Sequence, residues 1–194
     1  SALAQTYEML GDFDRAERLH RQVVALESDP ALGSLPLIGM GYVGLGGILH
    51  ERLRLSEAEA ALQRGLQIGQ RWASPEIQIG AHFSLARLRY TQGRIDEALA
   101  LVDQIEAEFA SAMPVHERSQ LDVIKARYWL ANGQLDKVAH WAQAYPVATD
   151  EALTPNAEQA ALVVARVLAG RHQTDRAVAV LDRLEINART LQRT

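Results

Sequence analysis

Apolar residues recur along this chain at helical spacing and in facing pairs. Phe83, Leu85, Ala86, Leu88 and Tyr90 run up to Gly93, and Ile95, Ala98, Leu99, Leu101, Val102 and Ile105 follow it. Two such stripes on either side of a tight turn predict an antiparallel helical hairpin. The turn itself carries a phrase: a turn residue, a polar residue, an apolar anchor, two polar residues, then a small residue. It reads Gly11 to Ala16, Leu53 to Ala58, Gly93 to Ala98, Gly133 to Val138 and His172 to Ala177. A period of about 40 residues means an array of stacked helix pairs. The spacing predicts pairs over 1–10 with 12–28, 37–53 with 55–72, 75–92 with 94–111, 115–132 with 134–145, and 155–170 with 174–187. The fold class is therefore all-α, a superhelical solenoid of about five antiparallel helix pairs. It forms a single repeat domain over 1–194, with repeats at about 1–33, 34–73, 74–112, 113–150 and 151–194.

Breakers and small residues support the same frame. Pro30 and Pro36, Pro75, Pro114, and Pro146 and Pro155 all fall between repeats, where a residue that removes a helical donor does no harm. Asp12, Ser56 and Asp136 sit near the starts of second helices, and Ser74 before Pro75 reads as a cap followed by a first-turn proline. A small residue, Ala4, Gly46, Ala86, Ala126 or Ala165, stands eight positions along each first helix. Another opens the second helix at Ala16, Ala58, Ala98 and Ala177, with Val138 the larger substitute. Small side chains at both places let two helices approach closely.

These positions resemble the tetratricopeptide repeat, in which Gly-x-aromatic-x-x-Ala follows a small residue by about seven positions. Leu53 and His172 depart from it by replacing the turn glycine, and the unit is longer than usual. Phrases such as Ala86 to Leu99 and Ala126 to Leu135 resemble the repeat region of the ATP-dependent, LuxR-family transcriptional regulators of MalT type, as does the stretch Ile186 to Thr194. The resemblance implies signal reception: a domain that binds a small-molecule inducer or a regulatory protein or peptide and biases assembly of the activator. In that family a nucleotide-binding module precedes the repeats and a helix-turn-helix module follows. These residues contain no Gly-x-x-x-x-Gly-Lys-Ser/Thr loop and no basic recognition helix. The chain begins partway into a first helix and ends without a polar cap, so a piece of a larger protein is expected.

Composition narrows the partners. Twenty basic against twenty-four acidic residues give a net charge of -4, which supplies no electrostatic reason to hold nucleic acid or an anionic membrane. Cysteine is absent, excluding disulfides and thiolate chemistry, and no apolar run reaches the roughly 20 residues of a membrane span. A cytoplasmic location is expected. No cofactor is expected within these residues, and terminal faces of an array leave self-association open.

Candidate chemistry is sparse. Gly39-Met40-Gly41-Tyr42-Val43-Gly44 satisfies Gly-x-Gly-x-x-Gly, but no strand precedes it, so these glycines belong to a first helix. Gly41, Gly44 and Gly47 recur every third residue; they serve either close helix packing or a ligand recess. The ninth position of each first helix, which faces the inner surface, reads Gln5, Gly47, Arg87, Arg127 and Arg166. Arg87, Arg127 and Arg166 in register would form a cationic ladder suited to carboxylate or phosphate, unless each pairs with a local carboxylate. The frame places His50, Phe83, Tyr90, Gln120 and Val123 beside it, where aromatic rings suit stacking or packing. The six histidines lack paired metal-ligand spacing, and the acid pairs such as Glu57 with Glu59 read as solvated helix faces. No Gly-x-Ser-x-Gly elbow occurs. An enzyme is not expected. The alternative to a sensor is a plain scaffold that binds an extended peptide with an acidic end.

Overall fold

A computed structural model describes residues 2–33, 35–111, 113–144 and 155–191. Among them there are ten α-helices and no strand: α1 (Ala2–Met9), α2 (Phe13–Ala25), α3 (Pro36–Glu51), α4 (Leu55–Arg71) and α5 (Pro75–Thr91). They continue as α6 (Ile95–Phe109), α7 (Val115–Ala131), α8 (Leu135–Ala144), α9 (Pro155–Gly170) and α10 (Thr174–Leu191). The five predicted hairpins match these bounds within a few residues. Pro146, residue 145 and residues 192–194 lie outside the described residues, as does the side chain of Gln5.

One turn closes all five hairpins, and its geometry explains the recurring phrase. The turn residue is left-handed, at φ 74, 75 and 70 for Gly11, Gly93 and Gly133, and at 58 and 59 for Leu53 and His172. In each case the following amide donates five residues back: Asp12 to Tyr7 and Arg54 to Leu49 at 2.9 Å, Arg94 to Arg89, Gln134 to Trp129 and Gln173 to Leu168 at 2.9 Å. This caps the last carbonyls of the first helix and reverses the chain. Ala73, at φ 46, makes the same turn between α4 and α5, with Ser74 N donating to the Gly69 carbonyl at 2.9 Å.

Asp12 caps α2, its carboxylate accepting from Arg15 N at 3.1 Å, and Ser74 followed by Pro75 opens α5 as the sequence predicts. Ser56 lies inside α4, whose cap position is Arg54, and Ser74 occupies the α5 cap without a side-chain bond.

The chain divides into two compact units, Ser1–Phe109 and Ala110–Thr194. In the first, α1 to α6 pack consecutively within and between hairpins, and α3 also meets α5 directly. The small residues that open the second helices and punctuate the first are buried: Ala4, Ala16, Ala58, Ala86 and Ala98 are fully enclosed. Leu45, Leu49, Leu62, Leu85 and Leu88 complete the core around Ala58 and Ala61. Helix α3 is held on two sides through its glycines. A methyl group on Gly41 would stand 2.6 Å from Val23 Cγ1, and one on Gly44 would strike the His20 ring, both on α2. On the other side Gly46 would meet Leu62 Cγ at 2.5 Å and Gly39 would meet Ile68 Cγ2 at 2.9 Å, both on α4. In the second unit α7 packs on α8 and α9, and α9 packs on α8 and α10. Its core gathers Ala126, Val138, Ala139, Val163 and Val167, flanked by Trp129 and Trp141.

Candidate functional site

The first helices of the hairpins carry the residues singled out by the repeat frame. In the first unit these are α3 and α5, which touch directly. Gly47 leaves open space on α3: a methyl there would find only Arg87 Nη2, at 3.9 Å. Through that gap Arg87 reaches the preceding first helix and pairs with Glu51, Nη2 to Oε1 at 3.2 Å. Both partners are close to half exposed, so the pair contributes about 1 kcal/mol or less and its guanidinium keeps donors toward solvent.

His50 lies beneath this pair. Thr91 Oγ1 donates to the Arg87 carbonyl at 3.0 Å, and its one proton is thereby used. The His50 Nε2 lies 2.8 Å from Thr91 Oγ1, and its Nδ1 lies 3.8 Å from Glu51 Oε1. Burial, with Arg87 nearby, holds the His50 pKa below the usual histidine value. His50 thus ties α3 to the end of α5. Phe83, Arg87 and Tyr90 follow one another at helical spacing on one face of α5; both aromatics are half-buried and Arg87 is exposed.

In the second unit Arg127 on α7 is half-buried, with its guanidinium 5.6 Å from the centroid of the Tyr128 ring. Gln120, also on α7, is exposed, whereas Val123 is a core residue with 3% exposure and leaves the predicted surface. It falls on the buried side because α7 packs against α9 as well as α8. Arg166 on α9 is exposed and makes no ion pair among the described residues. The arginines are therefore divided, Arg87 in one unit and Arg127 with Arg166 in the other.

Sequence reasoning missed the charges that join neighbouring hairpins. Glu17, one residue past the small opener of α2, accepts from Arg21 at 2.9 Å and Arg54 at 3.2 Å and forms an ion pair with Arg52 at 3.0 Å. Arg52 also pairs with Asp14, and Arg54 with Glu57. Glu59, at the same place in α4, takes a bidentate grip from Arg89 at 2.9 and 2.5 Å, and its pKa is lowered by that hydrogen bond. Reading Glu59 as solvated charge does not hold, since the hairpin that follows folds back over it. The missed signal was the recurrence of glutamate at one repeat position, Glu17 and Glu59, where the next hairpin has Leu99. A third clip joins Glu27 to Tyr42 at 2.5 Å and to Arg64. It lowers the Glu27 pKa, while burial and Glu27 push the Tyr42 hydroxyl up to about 12.

Three of the histidines, His20, His50 and His82, are buried, and His20 Nε2 lies 2.7 Å from Glu8 Oε1 across the first hairpin. Among the described residues no three histidine, aspartate or glutamate side chains come together in a way that could hold a metal. No helix among them is long and apolar enough to cross a membrane.

The family model for the MalT-like TPR region matches residues 1–194, the whole chain. No curated protein gives a match. Among solved structures, the chain is similar to a Podosopora anserina protein described as a kinesin light chain of nearly identical TPR-like repeats. The two share 22% identity at a TM-score of 0.72, over 100% of this chain and 95% of that one. It is also similar to BtubC (BKLC) from P. vanneervenii, with 15% identity, a TM-score of 0.71 and coverage of 98% and 78%. A third is aspartyl phosphate phosphatase F from Bacillus subtilis, with 11% identity, a TM-score of 0.68 and coverage of 96% and 58%. At these identities the solved structures establish the fold, an all-α array of TPR-like repeats.

Proposed function

Because this chain belongs to the family of MalT-like TPR regions, we propose that it is the signal-receiving segment of a MalT-like, LuxR-family transcriptional regulator in the cytoplasm. The observation that carries the reading is the family match across all 194 residues. The first-helix faces receive a small-molecule inducer or a regulatory protein or peptide. Each unit offers its own surface for an anionic group: Arg87 with the flat rings of Phe83 and Tyr90 in the first, and Arg127 and Arg166 with the polar Gln120 in the second. Forked guanidinium donors suit carboxylate and phosphate because each can engage two oxygens. The segment makes no contact with DNA and carries out no catalysis; binding biases assembly of the activator.

The exposure of Arg87 and Arg166 also supports a second reading, a scaffold that grips an extended peptide with an acidic end. One screen separates the two. Thermal shift of the chain against sugars and sugar phosphates, with an Asp/Glu-terminated octapeptide alongside, is expected to show a raised melting temperature with a sugar phosphate. A shift with the peptide alone rejects the inducer in favour of the scaffold.

A further inference from the structure

The second unit contains a cavity of about 460 Å³ bounded by α8, α9 and α10, and none of the first-helix-face residues described above lines it. Its volume lies in the range of small-molecule sites, roughly 300–1,000 Å³. The wall is apolar: Ala139 and Ala142 from α8, Val164 and Val167 from α9, and Val180 from α10. Alanines on α8 make the space, because a larger side chain at either position would occupy it. At the rim stand Arg171 and Arg176, accompanied by Gln143 and Gln173.

Among the described residues no carboxylate lines this cavity, although Asp175 belongs to the same turn as Arg176. Arg176 Nη1 donates to Gln173 Oε1 at 2.8 Å, a neutral partner, and makes no ion pair among the described residues. Arg171 makes no ion pair among the described residues. Helix stability accounts for Arg171, which follows the C-terminus of α9, where a cation is favoured. It does not account for Arg176, which sits in the first turn of α10, where a cation is disfavoured. Arg171 and Arg176 flank in sequence the turn between α9 and α10, where His172 has a left-handed backbone.

We infer that this cavity binds a small organic carboxylate with an apolar body, the carboxylate held by Arg171 and Arg176 and the body lying along the valine and alanine wall. The site goes beyond the first-helix reading and shares none of its residues, so the two stand or fall separately. Gln143 and Gln173 add neutral donors that can bond the second carboxylate oxygen without repelling it.

Calorimetric titration of the 194-residue chain with sodium octanoate tests the assignment. Octanoate is expected to bind with a dissociation constant on the order of 0.1–1 mM, as befits about ten non-hydrogen atoms. Octanol, which lacks the charge, and acetate, which lacks the body, are each expected to bind at least about tenfold more weakly. The double variant Arg171→Gln with Arg176→Gln alters two exposed side chains and is expected to fold normally while losing octanoate binding about tenfold or more. Arg189→Gln, outside the cavity, is expected to bind as the parent does. Absence of octanoate binding, or equal affinity in the double variant and the parent, overturns the inference.

Discussion

A single backbone conformation recurs at the tip of every hairpin, and the residues that adopt it are not all suited to it. Gly11, Gly93 and Gly133 enter the left-handed region without strain, whereas Leu53 and His172 pay for a Cβ there of about 1–2 kcal/mol. Leu53 is 73% exposed, so its side chain recovers little of that by packing. Leu53→Gly is therefore expected to stabilise the chain by about 0.5–1 kcal/mol, less than the full strain because glycine also gains freedom when unfolded. Chemical denaturation should show a higher midpoint at unchanged slope. A lower midpoint would mean that the leucine side chain contributes contacts the turn needs. His50 illustrates a different residue-scale effect: its bond to Thr91 braces α3 against the end of α5, and burial holds its pKa below the usual histidine value.

At the scale of the element, α3 carries three glycines at every third position, and the structure gives them two jobs. Gly41 and Gly44 admit the side chains of α2, while Gly47 opens the space through which Arg87 reaches Glu51. Substitution should separate them by sign. Gly44→Ala drives a methyl into the His20 ring and is expected to cost about 1–3 kcal/mol. Gly47→Ala meets nothing closer than 3.9 Å and is expected to gain up to about 1 kcal/mol from helix propensity. Thermal melts of the two variants check this, and destabilisation by both would place Gly47 in a packed contact. Hairpin bounds and the small packing residues were legible in the sequence because each depends on neighbours three or four positions away. Glu51 as the partner of Arg87, and Glu17 as the acceptor for Arg54 from 37 residues along, were not legible. Such pairs depend on how one hairpin stacks on the next. Val123 escaped for the same reason, being buried by packing that helical spacing alone does not specify.

The molecule is an array of TPR-like hairpins, one compact unit ending at Phe109 and the other beginning at Ala110, and it matches the MalT-like TPR region throughout. In such arrays each repeat packs on its neighbours, so one face of the first helices is left to meet partners while the opposite sides build the core. Position in the repeat thus marks which residues lie on this face. Calorimetry with the sugar phosphate that most raises the melting temperature tests it most directly. Arg127→Ala and Arg166→Ala should each weaken binding about tenfold, the worth of a charge-assisted hydrogen bond, while Arg18→Ala on the second helix α2 leaves it unchanged. Equal effects at Arg18, Arg127 and Arg166 would contradict the claim.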